Sequence, residues 1–189
     1  MTSGADFYHP SYLRPELLEM ATKKQTENSR IKEGDKLPRF SLPADDGSVV
    51  STDSLKGKQT ILYFYPKDDT TGCTKEACDF RDAFPRFRGT DARIIGVSPD
   101  SVESHKKFKK KYELPFQLLA DEKHELADAF GVWKEKSMYG RKFMGIERTT
   151  VIVDADGRVA RIFPKVSVPG HVAEVEEALR ETGSARQNK

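Results

Sequence analysis

Short, continuous apolar runs that alternate with helix-like segments are the feature that most constrains the fold. Residues 60–65 (TILYFY) and 93–97 (RIIGV) are dominated by β-branched and aromatic residues. Unbroken runs of this kind are typical of strands buried on both faces of a sheet. A helical pattern follows each run, over residues 73–84 and 101–112. Alternating strands and helices predict a mainly parallel sheet that is covered on both sides.

Two turn signals add antiparallel hairpins to this pattern. Residues 46–47 and 156–157 are both Asp-Gly, and each pair separates two short strand-like runs. Asp-Gly between such runs is a hairpin signal. A short strand over 116–120, a short helix over 124–130 and a closing helix over 171–180 complete the order. We therefore predict an α/β, thioredoxin-like fold, with a central mixed sheet flanked by helices and an N-terminal β-hairpin extension.

Length and composition predict one domain with a segment outside it at each end. The chain has 189 residues, of which 37% are hydrophobic and 33% charged, enough for one packed core under a solvated surface. We predict an N-terminal extension over residues 1–31, helical or partly disordered, with a helix over about 11–25. A domain over 32–182 follows, and residues 183–189 are expected to form a frayed tail.

Charge and hydropathy narrow the classes of function. Lys and Arg number 32 and Asp and Glu 30, a net charge of +2 that does not indicate a nucleic-acid binder. In the lysine-rich segment 101–112, Phe108 and Tyr112 stand four residues apart, which favours an apolar stripe under a solvated face over a phosphate-binding surface. No apolar run is long enough to cross a bilayer, and residues 1–10 do not resemble a secretory signal. We therefore expect a cytoplasmic protein with no nucleic-acid or membrane partner.

The cysteine content limits the chemistry further. Cys73 and Cys78 are the two cysteines of the chain. Two thiols cannot form a disulfide-rich scaffold, a four-thiolate zinc site or an iron–sulfur cluster. Zinc shared with histidines is disfavoured as well, because none of the four histidines has ligand spacing to the cysteines. The pair is therefore inert, structural or redox-active.

Cys73 stands where a nucleophile is expected in this type of fold. It lies at the start of a predicted helix, just past the carboxyl end of a buried strand, which is where ligands bind in open α/β sheets. Free N–H groups and the positive end of the helix dipole favour a thiolate there. Gly72 permits a close backbone approach, and Thr70 places a hydroxyl three residues before the sulfur. The alternative, a small buried hydrophobic residue, fits poorly with the polar residues 68–72.

The spacing of the two cysteines argues against a static disulfide. Cys78 follows Cys73 by five residues. On an ideal helix, five residues separate the Cα atoms by roughly 8.7 Å. A disulfide needs Cα atoms within about 7 Å of one another. If both residues lie on an intact helix, either no bond forms or its formation unwinds the first turns.

Two segments resemble a known family. Residues 63–82 (YFYPKDDTTGCTKEACDFRD) resemble the active-site segment of peroxiredoxins, most closely the Q-type group, also called bacterioferritin comigratory proteins. The family signature Pro-x-x-x-Thr-x-x-Cys is met by Pro66, Thr70 and Cys73. Residues 147–152 (ERTTVI) are similar to the segment that carries the family's second-site arginine, which maps to Arg148. Thr71 departs from the group, which commonly has proline there.

The resemblance implies a role for each matching residue. Cys73 would be the peroxidatic cysteine, which attacks the peroxide O–O bond and becomes a sulfenic acid. Arg148 would hold the thiolate charge and polarise the peroxide. The Thr70 hydroxyl and the backbone N–H of Cys73 would position the peroxide oxygens. Pro66 would shield the pocket from water.

The remaining implied roles concern support, resolution and recycling. Glu76 would orient the arginine network, and Gly72 would be a second supporting residue. Cys78 matches the resolving cysteine, which would form an intramolecular disulfide with Cys73, as in atypical two-cysteine enzymes. Thioredoxin or a similar dithiol would reduce this disulfide. The resemblance implies no metal and no organic cofactor, and it favours a monomer.

The implied function is thiol-dependent reduction of hydrogen peroxide and organic hydroperoxides to water and alcohols. Such an activity would serve antioxidant defence and cell redox homeostasis. An alternative is a peroxide sensor or redox relay that uses the same chemistry of Cys73 to oxidise a partner protein. A third hypothesis is an accessory protein that contacts DNA through the lysine-rich helix.

Overall fold

A mixed sheet of five strands forms the centre of the protein. The computed structural model describes residues 31–187. The strands are β1 (Ser41–Pro43), β2 (Val49–Ser51), β3 (Thr60–Phe64), β4 (Arg93–Ser98), β5 (Gln117–Ala120), β6 (Trp133–Met138), β7 (Arg141–Ile146), β8 (Thr149–Val153) and β9 (Val159–Phe163). The helices are α1 (Thr71–Arg88), α2 (Val102–Tyr112), α3 (Glu125–Ala129) and α4 (His171–Gln187), with a 3-10 turn over Thr52–Leu55.

The order of the central sheet is β5-β4-β3-β8-β9. Strands β3, β4 and β5 are parallel, whereas β8 is antiparallel to β3 and β9 is antiparallel to β8. The predicted mixed sheet, with a closing hairpin as its antiparallel edge, is therefore confirmed. Parallel strands β3 and β4 both end at the same edge of the sheet, and β8 begins there.

Strand β3 is buried on both faces and separates two apolar layers. Leu62 and Phe64 face one layer, and Ile61 and Tyr63 face the other, because successive side chains of a strand point in opposite directions. The first layer includes the β1–β2 hairpin and α3 (Leu42, Val50, Leu126 and Ala127). The second includes α1, α2 and α4 (Ala77, Phe80, Phe108, Val175 and Leu179). Helix α1 is thereby packed over the carboxyl end of β3.

The N-terminal hairpin docks on the edge strand β5. Ala44, which follows β1, forms an antiparallel bridge with Leu119. The backbone N–H of Asp45 donates to the carbonyl of Leu118 at 3.0 Å, and Asp45 Oδ1 accepts from the Leu118 N–H at 2.6 Å. These bonds occupy polar groups of an edge that would otherwise be open to pairing with another chain.

Helix α4 extends beyond its predicted end. The sequence predicts that this helix ends at residue 180, but α4 continues through Gln187, so the predicted end is wrong. The frayed tail expected over 183–189 stays a prediction. The hydroxyl of Thr182 donates to the carbonyl of Ala178 at 2.9 Å and accepts from the Gln59 side-chain amide at 2.9 Å. Contact with Gln59 is a tertiary interaction that composition does not reveal. The predicted helix over 11–25 lies outside the described residues.

The β6–β7 hairpin was not predicted. Its turn residues, Tyr139 and Gly140, both have positive φ angles, of 51° and 74°. This turn geometry favours Asn-Gly or Asp-Gly, so a Tyr-Gly turn gives a weak sequence signal. Within residues 31–187, no helix is both long and apolar enough to cross a membrane.

We expect Gly96→Ala to destabilise the protein. A Cβ on Gly96 would lie 2.7 Å from the hydroxyl of Tyr63 and 2.7 Å from Leu118 Cδ2, and both of these side chains are fully buried. Overpacking of this kind costs about 1–3 kcal/mol of the free energy of unfolding, measurable by urea denaturation. Gly145→Ala is the control, because its nearest atom, in Phe143, is at 3.5 Å. Equal denaturation midpoints for the two variants would contradict the prediction.

Candidate active site

Cys73 lies in the first turn of α1, close behind the end of β3. Helix α1 begins at Thr71, with Thr70 as its N-cap, and the N–H of Thr74 donates to the carbonyl of Thr70 at 2.8 Å. The first N–H groups of a helix have no acceptor within the helix and carry its positive dipole end. Cys73 is buried, at 2% exposure, although its neighbours Thr71 and Gly72 are exposed. The predicted position of the thiol is therefore confirmed.

Arg148 reaches Cys73 from the neighbouring strand. It immediately precedes β8, whose first residue, Thr149, is the register partner of Phe64 at the end of β3. Its Nη2 lies within hydrogen-bonding distance of Cys73 Sγ, at 3.4 Å. The backbone carbonyl of Arg148 accepts from the N–H of Val166 at 2.9 Å, which holds this end of the strand. The antiparallel register thus places a fixed positive charge beside the sulfur.

Glu76 contacts the other end of the same guanidinium. It follows Cys73 by one helical turn, is 1% exposed, and its Oε2 accepts a hydrogen bond from Arg148 Nη1. Burial raises the pKa of Glu76 to about 7, against the opposing effect of Arg148. Burial alone would lower the pKa of Arg148, but Glu76 and Cys73 outweigh it and the net pKa is raised. Among the described residues, Glu76 Oε1 has no hydrogen-bond partner.

The other predicted site residues surround this core at different distances. Gly72 lies under Arg148, since a Cβ there would be 3.4 Å from Nη2. Pro66 is half-buried in the loop after β3. Thr70 is exposed, and its hydroxyl donates to the carbonyl of Lys67 at 3.1 Å. No hydrogen bond between the Thr70 hydroxyl and Cys73 occurs among those of residues 31–187.

Cys78 lies on the same helix as Cys73, half-buried and free. Helix α1 runs unbroken from Thr71 to Arg88, so both cysteines stand on an intact helix. The roughly 8.7 Å Cα separation expected for this spacing exceeds the reach of a disulfide. Bond formation therefore requires α1 to unwind. Thr71 occupies the first helical position, where proline is well tolerated, so the helix accepts either residue.

Lys136 on β6 is a second cation in the electrostatic surroundings of the site, and sequence reasoning missed it. Its Nζ donates to the carbonyl of Ile146. Burial lowers the pKa of Lys136 and Arg148 lowers it further, against the effects of Glu147 and Cys73. In the sequence, the hairpin that carries Lys136 is signalled only by Gly140 in its turn. Among the described residues, no group of three or more His, Cys, Asp or Glu is arranged to hold a metal ion.

Comparison with known proteins shows the family of this chain. Residues 33–162 match the AhpC/TSA family. Peroxiredoxin Bcp of Bacillus subtilis is 52% identical over 151 residues, which cover 80% of this chain and 96% of that protein.

Two solved structures are similar as well. Peroxiredoxin Q of Xanthomonas campestris is 40% identical with a TM-score of 0.73, covering 76% of this chain and 91% of that one. The bacterioferritin comigratory protein of the same species is 36% identical with a TM-score of 0.74, and the match covers 82% of this chain and 99% of that one. Its structures address its alkyl peroxide reduction activity. The chain therefore belongs to the AhpC/TSA family, in its Q or Bcp group of peroxiredoxins, and is a thiol-dependent peroxidase.

Proposed function

We propose that Cys73 is the peroxidatic cysteine, that Cys78 resolves it, and that thioredoxin or a similar dithiol recycles the enzyme. The observation that carries this proposal is the contact of Arg148 with Cys73 Sγ at the start of α1. A guanidinium remains charged at all physiological pH values and presents several N–H donors in a fixed plane. Together with the free first-turn N–H groups of α1, it stabilises negative charge both on the thiolate and on the oxygen that leaves the peroxide.

The first step transfers one oxygen atom to Cys73. The thiolate attacks the terminal peroxide oxygen, the O–O bond breaks, and the sulfur becomes a sulfenic acid. The departing oxygen takes a proton and leaves as water from hydrogen peroxide or as an alcohol from an organic hydroperoxide. We assign Thr70 and the N–H of Cys73 to holding the peroxide and Pro66 to limiting water. The Thr70 hydroxyl must first leave the carbonyl of Lys67.

The second step removes the sulfenic oxygen as water. Once α1 unwinds, the Cys78 sulfur attacks Cys73 Sγ, a disulfide forms, and the hydroxyl leaves with a proton. A reduced dithiol then returns both cysteines to thiols. Over the cycle, two electrons and two protons convert hydrogen peroxide to two water molecules, or an organic hydroperoxide to one alcohol and one water. We take hydrogen peroxide and organic hydroperoxides as the substrates.

We further propose that the enzyme acts as a monomer in the cytoplasm. Arg148, Glu76 and both cysteines come from one chain, so the site needs no second copy. A dithiol that must be regenerated after each turnover suits a compartment with reduced thiols. Of the helix α2 lysines, Lys106, Lys109 and Lys111 pair with carboxylates within the chain, which gives no support to DNA binding through this helix.

Mass spectrometry after one equivalent of peroxide tests the roles of the cysteines. Wild-type protein should carry a disulfide between Cys73 and Cys78 within one chain. Cys78→Ser should accumulate a sulfenic acid on Cys73, trapped with dimedone, and should not recycle with thioredoxin. Cys73→Ser should consume no peroxide. A Cys73 crosslink between chains would contradict the proposal, and fast oxidation without reduction by thioredoxin would favour a sensor or relay instead.

We expect Arg148→Lys to lower kcat/KM for peroxide by about 10²- to 10³-fold, the usual effect of losing one donor to a developing charge. A lysine ammonium cannot reach both Cys73 and Glu76 with the planar geometry of arginine. The measurement is NADPH consumption with thioredoxin and its reductase. Arg161→Lys, at a half-exposed position on β9, is the matched control and should keep the wild-type rate. A wild-type rate in Arg148→Lys would refute the role of the guanidinium.

Glu76→Gln should change how stability depends on pH. Because the pKa of Glu76 is raised to about 7 in the folded protein, its protonated form favours folding fully below its ordinary pKa. That contribution is lost as the pH rises through about 7. The unfolding free energy of the wild type should therefore fall relative to Glu76→Gln between pH 5 and pH 8, by up to about 3 kcal/mol. Parallel stability curves from urea denaturation would show that Glu76 does not titrate in this range.

A further inference from the structure

A buried cluster of polar side chains lies behind the loop that leads from β3 into α1. Asp68 belongs to this loop and is 6% exposed, and His105 of α2 is fully buried. Tyr65 and Ser104 complete the cluster from the end of β3 and from α2. None of these side chains has a part in the proposed peroxide chemistry, yet Asp68 precedes Cys73 by only five residues.

The Asp68 carboxylate is the centre of the cluster. Its Oδ1 accepts from the Tyr65 hydroxyl at 2.7 Å, and its Oδ2 accepts from the Ser104 hydroxyl at 2.7 Å and lies 2.9 Å from His105 Nδ1. The backbone N–H of Asp68 donates to Asp100 Oδ2 at 2.7 Å. Burial holds the pKa of Tyr65 well above its ordinary value, so the hydroxyl keeps its proton and donates it to Asp68.

His105 faces an acceptor at each ring nitrogen. Its Nε2 lies 3.1 Å from the carbonyl of Leu119, which has no proton to give. Its Nδ1 faces Asp68 Oδ2, and a neutral imidazole carries only one N–H. Tyr65 and Ser104 already donate to the carboxylate, so the arrangement is satisfied when both ring nitrogens of His105 carry protons. The pair is then an imidazolium and a carboxylate, two charges that neutralise each other inside the protein.

We propose that His105, as a buried imidazolium, is a positioning residue for the loop that leads from β3 into α1. It holds this loop through its contact with Asp68. This inference rests on the proposed role of Cys73. Between Asp68 and the helix the chain has little freedom, since Asp69 takes a left-handed φ of 57° and Thr70 is the N-cap of α1. The position of Asp68 therefore fixes where α1 begins and how Cys73 meets Arg148.

Two more contacts tie the same region to α2. Asp69 accepts from Lys111 Nζ at 2.8 Å and from the Tyr112 hydroxyl at 2.6 Å. Beyond the cysteines, Arg81 Nη1 donates to the carbonyl of Tyr112 at 2.9 Å. Both cysteines thus lie between two attachments to α2. In this proposal α2 holds both ends of the segment that unwinds when the disulfide forms. The contact between Asp68 and His105 is the buried part of the first attachment.

Two substitutions at His105 separate positioning from packing. In His105→Asn the amide nitrogen stands near the place of Nδ1 and still donates to Asp68. In His105→Gln it stands near the place of Nε2, so the donor to Asp68 is lost. We expect kcat/KM for hydrogen peroxide to fall about 10- to 100-fold in the glutamine variant, as for a small misplacement of reacting groups, and to remain closer to wild type in the asparagine variant. Equal rates in the two variants would overturn the proposal.

His124 supplies the matched control. It is half-buried and stacks on Trp133, with ring centroids 3.7 Å apart, away from the loop. His124→Asn and His124→Gln should both keep the wild-type kcat/KM, and a loss equal to that of His105→Gln would count against positioning through Asp68. All variants are compared at a temperature where circular dichroism shows each to be folded.

The charge of His105 is measured in the wild-type protein itself. Nitrogen-15 NMR at pH 7 should show both ring nitrogens of His105 in the protonated range, whether or not any variant folds. One unprotonated nitrogen, with normal wild-type turnover, would overturn this inference alone. Wild-type protein that consumes no peroxide would overturn the proposed function of Cys73 and the positioning role that depends on it.

Discussion

The guanidinium of Arg148 links the Cys73 sulfur to the Glu76 carboxylate, because one of its nitrogens contacts the sulfur and another contacts the carboxylate. The contact depends on the sheet. Strand β8 pairs with β3 in a register that brings residue 148 beside the end of β3, where α1 begins. A shift of this register by one residue would turn every side chain of β8 to the opposite face and remove the arginine from the sulfur. The buried strands at the centre of the molecule therefore determine its chemistry as well as its stability.

The ionisation of the buried Glu76 carboxyl affects how Arg148 interacts with Cys73. A fully ionised carboxylate would share the positive charge of Arg148 with the thiolate, whereas a protonated one leaves more of that charge to the sulfur. With a pKa raised to about 7, Glu76 changes between these states close to neutral pH. One carboxyl group thus contacts the guanidinium and, through its own ionisation, changes the charge around Arg148.

The sequence predicted those parts of the structure that depend on local patterns. The apolar run at residues 60–65 indicated β3, the position of Cys73 after it indicated a helix start, and family resemblance located Arg148 and Glu76. Contacts between distant segments that the family resemblance does not imply were not predictable. His105 lies 37 residues from Asp68 and looked like an ordinary residue of a lysine-rich helix. Lys136 stands on a hairpin whose Tyr-Gly turn is a weak signal, and Gln59 donates to Thr182 of α4 across 123 residues of sequence.

The intact helix α1 also has a consequence for electron transfer. In the proposed cycle α1 must open before its cysteines can bond, so the packing of Ala77 and Phe80 against the sheet would stabilise the dithiol relative to the disulfide. A protein whose reduced form is stabilised in this way has a higher reduction potential, and for a two-electron couple about 1.4 kcal/mol corresponds to about 30 mV. The apolar packing of α1 against the sheet thus helps to determine how readily the oxidised enzyme accepts electrons from its reductant.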